Sequence, residues 1–318
     1  MDFTERVSRR LKLRDLRFLA AVAQSGSMAK AATQLNISQP AVSKAIAELE
    51  HTLGVRLLDR MPQGVEPTPY GRALLKHGIA IFDELRQGAK EIEFLADPAA
   101  GEVRVGSAEV YLAGLLTAII ERLGRRYPRI VFHVGQATAA TQEFRELRER
   151  RVDLVIGRIA EPFVQDDLNA EILYQERVYV VAGKRSKWAR RKRIALAELM
   201  NEAWIFTPPD TLPNTLLEEE FRARGLKMPP ARIYTLSSHL RNSLVPTGQY
   251  LTVLPGSFLR YAALRSAYKV LPIDFPMRPR PIGVVTVKNR TLNPAVELFL
   301  ECARAVARPL SIAPNSKR

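Results

Sequence analysis

Apolar positions recur at helical spacing through the first hundred residues, and the breaks between repeats define the elements. Leu16, Leu19, Ala20 and Ala23, with Phe18 and Val22 alongside, predict a helix over 13–24. Ser25-Gly26-Ser27 stops it and caps a second helix over 28–36, rich in alanine, which lets two helices cross closely. Asn36-Ile37-Ser38 reads as a turn, with Ile37 placed to plug a core. Ser38 is then an N-cap, and Pro40 falls in the first turn of a third helix, where a missing N–H costs little. Val42, Ile46, Leu49 and Leu53 share one side of that helix, flanked by Ala45. Gln39, Pro40, Ser43, Lys44, Ala47 and His51 lie nearly opposite, and Gly54 is a stop.

The period then changes. Residues 55–60, a turn at 62–64 and residues 65–68 predict a small hairpin. Thr68-Pro69 opens a helix running to about Ala96, in which Leu74, Ile81, Gly88 and Leu95 recur every seventh residue, as do Gly78, Leu85 and Ile92. That heptad seam is the period of a helix packed along a partner, although a helix lying on its own domain gives a similar stripe. Asp97-Pro98-Ala99-Ala100-Gly101 reads as a hinge. Beyond it strands alternate with helices, beginning with strand 102–106, helix 110–126, strand 130–134, helix 141–150 and strand 152–156. Strands near 171–175, 177–182, 203–207, 231–235, 250–254, 269–272 and 281–287 follow, with helices over 195–200, 213–224, 237–246, 257–265 and 293–307. The alternation predicts α/β architecture with largely parallel sheets, and the length of this region predicts two lobes.

Composition narrows the class. With 318 residues, 47% hydrophobic and 25% charged, the chain can bury a large core, and no apolar run is long enough to span a bilayer. The opening MDFTERVSRRLKLRDL carries charges throughout and lacks the apolar core of a secretory signal. One cysteine, Cys302, excludes an intrachain disulfide framework, and its apolar helical setting reads as a packed thiol. The expectation is a soluble, cytoplasmic protein without a membrane partner. The net charge of +15 adds less than it promises: residues 1–96 hold 14 Lys+Arg against 11 Asp+Glu, and the remainder 34 against 22. Much of the excess lies in KRSKWARRKR (184–193), which fits a solvated surface run or a contact to phosphates.

The outer face of the third helix carries the most pointed chemistry. Short polar groups with Gln39 and Lys44 near its N-terminus suit a helix that enters a DNA major groove, and helix, turn, helix and hairpin wing are the elements that deliver it. Arg60 at the base of the wing is placed for phosphates or a minor groove. The competing account of this helix alone is an ordinary amphipathic surface helix. An enzyme is the second function class, but there is no G-x-S-x-G and no G-x-G-x-x-G. The four histidines, 51, 77, 133 and 239, show no metal spacing, so neither cofactor nor metal is expected. A solute-binding module acting without DNA is the third.

The run SGSMAKAATQLNISQPAVSKAIAELEHTLGVRLLDRMPQGVEPTPYGRALL closely resembles the LysR-type transcriptional regulators, above all in SQPAVSK, I…LE…LG, RLLDR and TP.G at consistent spacing. Later echoes are RRYPRI, RRVDLVIGR and LVPTGQYLTVLP. The resemblance implies a winged helix-turn-helix over 11–68 with its motif at 28–47, a linker and dimerisation helix over 69–97, and a periplasmic-binding-protein-like effector domain over 101–310. Lobe I would take 101–173 and 275–310, and lobe II 174–274. It carries DNA reading to Ser38, Gln39, Pro40, Ser43 and Lys44, with Arg60 on the wing. The implied partners are a dyad-symmetric DNA operator, a small-molecule effector, a second copy in a homodimer or homotetramer, and RNA polymerase. Lys44 stands where arginine is commoner, Leu58 and Met28-Ala29 also depart from the pattern, and Tyr250 replaces a glycine. By position at strand ends facing the cleft, Ser107, Thr138, Thr207 and Ser237 are expected to contact effector, with Arg158, His239 and Arg241 as candidates for an anion.

Overall fold

The computed structural model describes residues 3–61, 64–137, 143–261, 263–273 and 278–311, in two units, Met1–Arg86 and Gln87–Arg318. In the first unit α1 (Phe3–Arg10), a charged helix that apolar spacing did not mark, precedes α2 (Leu13–Ser25), α3 (Met28–Leu35) and α4 (Gln39–Leu53). Leu19, Val22, Ala31, Ala32, Val42, Ile46 and Leu49 are buried together, and on α2 Ala21 and Val22 are buried whereas the expected Ala20 and Ala23 are half-buried. Gly26 and Gly54 end α2 and α4 with φ of 65° and 73°, a region closed to most side chains. Ser27 Oγ accepts from Lys30 N (3.4 Å) and caps α3. Ser38 occupies the matching position before α4 but makes no side-chain cap hydrogen bond, which corrects its reading as a capping hydroxyl.

Strands β1 (Leu58–Met61) and β2 (Gly64–Pro67) form the antiparallel wing, with Arg60 opposite Val65. The wing starts at Leu58, later than residue 55, and Glu50 Oε1 on α4 accepts from Leu57 N (2.7 Å) and Leu58 N (3.2 Å), holding the start of the wing to that helix. Thr68 Oγ1 accepts from Gly71 N (3.0 Å) and so caps α5 (Pro69–Ala96). Gly71 is required there: a Cβ would lie 2.0 Å from Leu57 O. The heptad seam of α5 divides. Leu74 and Leu75 pack on the core of the first unit, whereas Ile81, Leu85, Ile92 and Leu95 are 39%, 52%, 70% and 74% exposed.

The second unit opens with β3 (Ala100–Ser107), α6 (Glu109–Tyr111), a π-helical turn (Leu112–Leu116) and α7 (Thr117–Arg126). β4 (Arg129–Gln136), α8 (Arg145–Arg148), β5 (Leu154–Arg158) and β6 (Leu168–Glu176) follow. Next come β7 (Val178–Gly183), β8 (Trp204–Phe206), α9 (Leu212–Arg222), β9 (Ala231–Tyr234) and α10 (Ser238–Leu244). The chain ends with β10 (Leu251–Pro255), α11 (Gly256–Tyr261), β11 (Tyr268–Val270), β12 (Arg280–Val287) and α12 (Pro294–Ser311).

Two five-stranded sheets result, ordered β4-β3-β5-β12-β6 and β11-β7-β10-β8-β9. They are mixed rather than largely parallel. β12 runs antiparallel to β5 and β6, and β7 antiparallel to β10 and β11. The cause is the route of the chain. It leaves the first sheet after β6 and returns as β12, and each strand that enters from the other sheet must run against those heading toward it. Alternation within strands then divides the cores: Trp204 and Phe206 join Trp188 and Phe221, while Ile205 faces Val245 and Phe258. Cys302 is buried against Ile119 O (3.6 Å), as a packed thiol.

One buried ion pair fixes the first sheet. Arg290 Nη2 lies 2.8 Å from Asp153 Oδ1, both side chains at most 2% exposed, and Asp153 Oδ2 accepts from Arg104 N (2.9 Å). Removing one partner strands a buried charge, so Asp153→Ala is expected to cost about 3–5 kcal/mol in urea unfolding of the second unit. A loss below about 1 kcal/mol would show that Arg290 finds other partners.

Candidate nucleic-acid interface and ligand cleft

On α4 the burial of Val42, Ala45, Ile46 and Leu49 orients everything else. Gln39, Pro40 and Lys44 are exposed, Ser43 is half-buried beside them, and Ser38 precedes them on the surface. Five of the six residues expected to read DNA therefore lie on the N-terminal end of one helix, and Arg60 is exposed on the wing. Lys44 Nζ is 3.9 Å from Glu48 Oε1, with side chains 80% and 54% exposed, an ion pair of little strength that a phosphate or base edge can replace. Glu50, read from sequence only within the motif I…LE…LG, sets the wing through its two backbone hydrogen bonds.

In the second unit the ends of strands from both sheets surround a cavity of about 320 Å³. Thr207, just past β8, and Ser237, before α10, line it. Ser107 does not: it is fully buried and its Oγ donates to Ile156 O (2.8 Å), so it ties β3 to β5 instead of presenting a donor. Thr138 lies outside the described residues; its neighbour Ala137 is on the wall. Ser237 spends its hydroxyl on its own helix, accepting from Leu240 N (3.2 Å). Of the basic candidates, Arg158 and Arg241 line the cavity, whereas His239 is exposed and absent from the wall.

Sequence reasoning missed Glu109, Ser238, Arg278 and Arg280, all on this wall. Glu109 Oε2 accepts from Ser238 N, and Glu109 Oε1 accepts from Gln136 Nε2 (2.6 Å), so one carboxylate joins α6 of the first sheet to α10 of the second. The signal was available in part: Glu109 follows the same strand end that drew attention to Ser107.

Behind the cavity lies a buried polar cluster. Glu176, at the end of β6, accepts from Tyr174 Oη (2.8 Å) and Ser257 Oγ (2.6 Å), and its other oxygen accepts from Ser257 N (3.3 Å). The last strand of one sheet is thereby tied to the first turn of α11. Burial pushes the Glu176 carboxyl up, against the opposing effect of those hydrogen bonds and of Arg158. Burial likewise pushes the Tyr111 hydroxyl, beside Arg158, up to about 12. A carboxyl whose folded pKa exceeds its unfolded value binds its proton more tightly in the native state, so native stability falls as pH rises from the unfolded to the folded value. Glu176→Gln is expected to remove that loss: thermal unfolding of the variant relative to the parent improves as pH rises above the ordinary carboxylate range. A pH-independent difference would contradict the assignment.

Among the described residues no group of three or more His, Cys, Asp and Glu is arranged to hold a metal. No helix among them is long and apolar enough to cross a membrane.

Comparison with known proteins places both regions. Residues 13–72 match the family model described as bacterial regulatory helix-turn-helix protein, lysR family, and residues 96–308 match the LysR substrate binding domain. The chain is 26% identical over 304 residues to the HTH-type transcriptional regulator YdcI of Escherichia coli K12, covering 96% of this chain and 98% of that one. It is 30% identical over 232 residues to the HTH-type transcriptional regulator GbpR of Rhizobium radiobacter, covering 72% and 76%. Its fold resembles full-length CbnR, solved complexed with its target DNA, at a TM-score of 0.65 and 21% identity over 93% of this chain and all of that one.

Proposed function

The chain belongs to the LysR family of transcriptional regulators, and we propose that Ser38, Gln39, Pro40, Ser43 and Lys44 are its DNA-reading positions, with Arg60 contacting the backbone from the wing. It is a DNA-binding regulator with an effector-binding domain, and not an enzyme. The observation that carries the residue assignment is the division of α4: Val42, Ala45, Ile46 and Leu49 on its apolar side are buried, and its N-terminal end presents an amide, two hydroxyls and one cation. Gln suits the N6/N7 edge of adenine, and Lys44 supplies a guanine or phosphate contact without the paired geometry of arginine.

The exposed row Ile81, Leu85, Ile92 and Leu95 supports pairing of α5 with a second copy, as a homodimer or a tetramer built from dimers. Two copies would set two α4 helices on the halves of a dyad-symmetric operator in the cytoplasm. Effector bound between the two sheets would then alter subunit geometry, and with it DNA bending or contact with RNA polymerase. Support for the cleft as effector site comes from its concave, mostly apolar wall with a few convergent polar groups, among them Thr207, Ser237, Arg158 and Arg241.

Two measurements test this reading. With a duplex selected from a randomised pool, replacing both Gln39 and Lys44 with alanine is expected to weaken binding by about 100-fold or more while circular dichroism is unchanged. Retention of parental affinity and sequence preference would place the reading face elsewhere. Separately, Ile92→Asp with Leu95→Asp is expected to shift sedimentation toward the monomer and weaken operator binding, since one half-site alone forfeits the linked second contact. An unchanged assembly would leave the α5 row without a partner.

A further inference from the structure

The cavity contains hydrogen-bonding groups that the fold does not use. Ser238 and Arg241 stand three residues apart on α10, on one face, and are 7% and 5% exposed. Ser238 Oγ and Arg241 Nε are buried without a hydrogen-bond partner among the described residues; Arg241 Nη2 alone donates, to Thr235 O (3.3 Å). Buried polar atoms are nearly always paired, and a cation more so, which makes two orphaned donors on one cavity wall a request for an acceptor. Burial lowers the Arg241 pKa, opposed by Tyr268 and Glu109, and the guanidinium remains the charge at this corner.

The rest of the wall says what kind of acceptor. Its acids are already engaged. Glu220 lies 2.9 Å from Arg224 and 3.7 Å from Arg280, and Glu109 is held by Ser238 N and Gln136. Four arginines, Arg158, Arg241, Arg278 and Arg280, outnumber these two acids on the wall, whose apolar lining includes Val178, Ile205 and Phe206. The volume of about 320 Å³ is at the small end of ligand sites.

We propose that the effector is a small carboxylate with an apolar body, its carboxylate bound by Ser238 Oγ and Arg241, its body against Val178, Ile205 and Phe206. Glu109 is the resident carboxylate of the same corner, accepting from Ser238 N beside the uncommitted Oγ, and the like charge of the ligand displaces it from that N–H. Because Glu109 belongs to the first sheet's side and Ser238 to the second's, that exchange replaces an internal bridge between the sheets with one made through the ligand. The inference rests on the reading of this cleft as the effector site and adds the ligand's chemical class.

The test is calorimetric titration of the full-length protein with acetate, butyrate, benzoate and succinate, each paired with its neutral amide. At least one carboxylate is expected to bind with one site per chain and about tenfold or more tighter than its amide. Arg241→Met is expected to weaken that binding by about tenfold or more, and Ser238→Ala, which removes one small hydroxyl and leaves packing intact, by about threefold or more. Glu109→Gln, which removes the competing charge, is expected to tighten it by about threefold or more. Amides binding as well as carboxylates, indifference to Ser238→Ala and Arg241→Met, or no carboxylate binding at about 10 mM would each overturn the proposal. Amide binding in the cleft would leave the effector-site reading standing, whereas a bound ligand insensitive to every cleft substitution would remove both.

Discussion

The chain's passage between two incomplete sheets is the constraint on which the second unit depends. β6 ends one sheet's outward path at Glu176, and β12 re-enters it between β5 and β6. The strands that feed the passage point their ends toward the same gap, so the gap collects strand termini and helix starts. Those termini carry polar groups that a continuous sheet would have satisfied. Glu176 holds one flank of the passage by binding Tyr174 and Ser257, and Glu109 holds the other by binding Gln136 and Ser238. A cavity built this way has polar and apolar groups on one wall, drawn from both sheets. A ligand that prefers one relative position of the sheets over another changes its population by its difference in affinity for the two.

The first unit solves a different problem with similar economy of parts. A helix can present its N-terminal end to a groove only if its other side is fixed. Val42, Ile46 and Leu49 fix α4, the positive φ of Gly26 and Gly54 turns the chain at the ends of α2 and α4, and Gly71 lets the start of α5 approach Leu57. Glu50 adds the wing to the same rigid body. α5 is continuous from the wing to the start of the second unit, and its apolar row changes from own-core packing at Leu74 to exposure at Ile92 and Leu95. One helix therefore serves two surfaces, which is why its heptad period looked uniform in sequence and is not uniform in burial.

Local order was the part that sequence carried well. Helices with strict apolar spacing, such as α2 and α4, and the Thr68-Pro69 start of α5 were legible because capping and burial are set within a few residues. Sheet sense was not, because it depends on where the chain crosses between sheets, a relation among segments a hundred residues apart. The cleft shows the same limit at finer scale. Strand-end position located Thr207 and Ser237 on the wall, yet could not tell that Ser107 turns inward to Ile156 or that Ser238, one residue along α10, carries the uncommitted hydroxyl. A hydroxyl's rotation and partner are decided by tertiary contacts. Arg241 was visible as a cation, but its burial was not, and burial is what gives it significance.

The central claim is that occupancy of the cleft and occupancy of DNA are linked. Its most direct test is reciprocity: measure the DNA dissociation constant with and without saturating cleft ligand, and the ligand dissociation constant with and without saturating DNA. Linkage predicts that the two ratios are equal and differ from unity by about fivefold or more. A ratio of one in both directions, with both partners bound, would contradict the account.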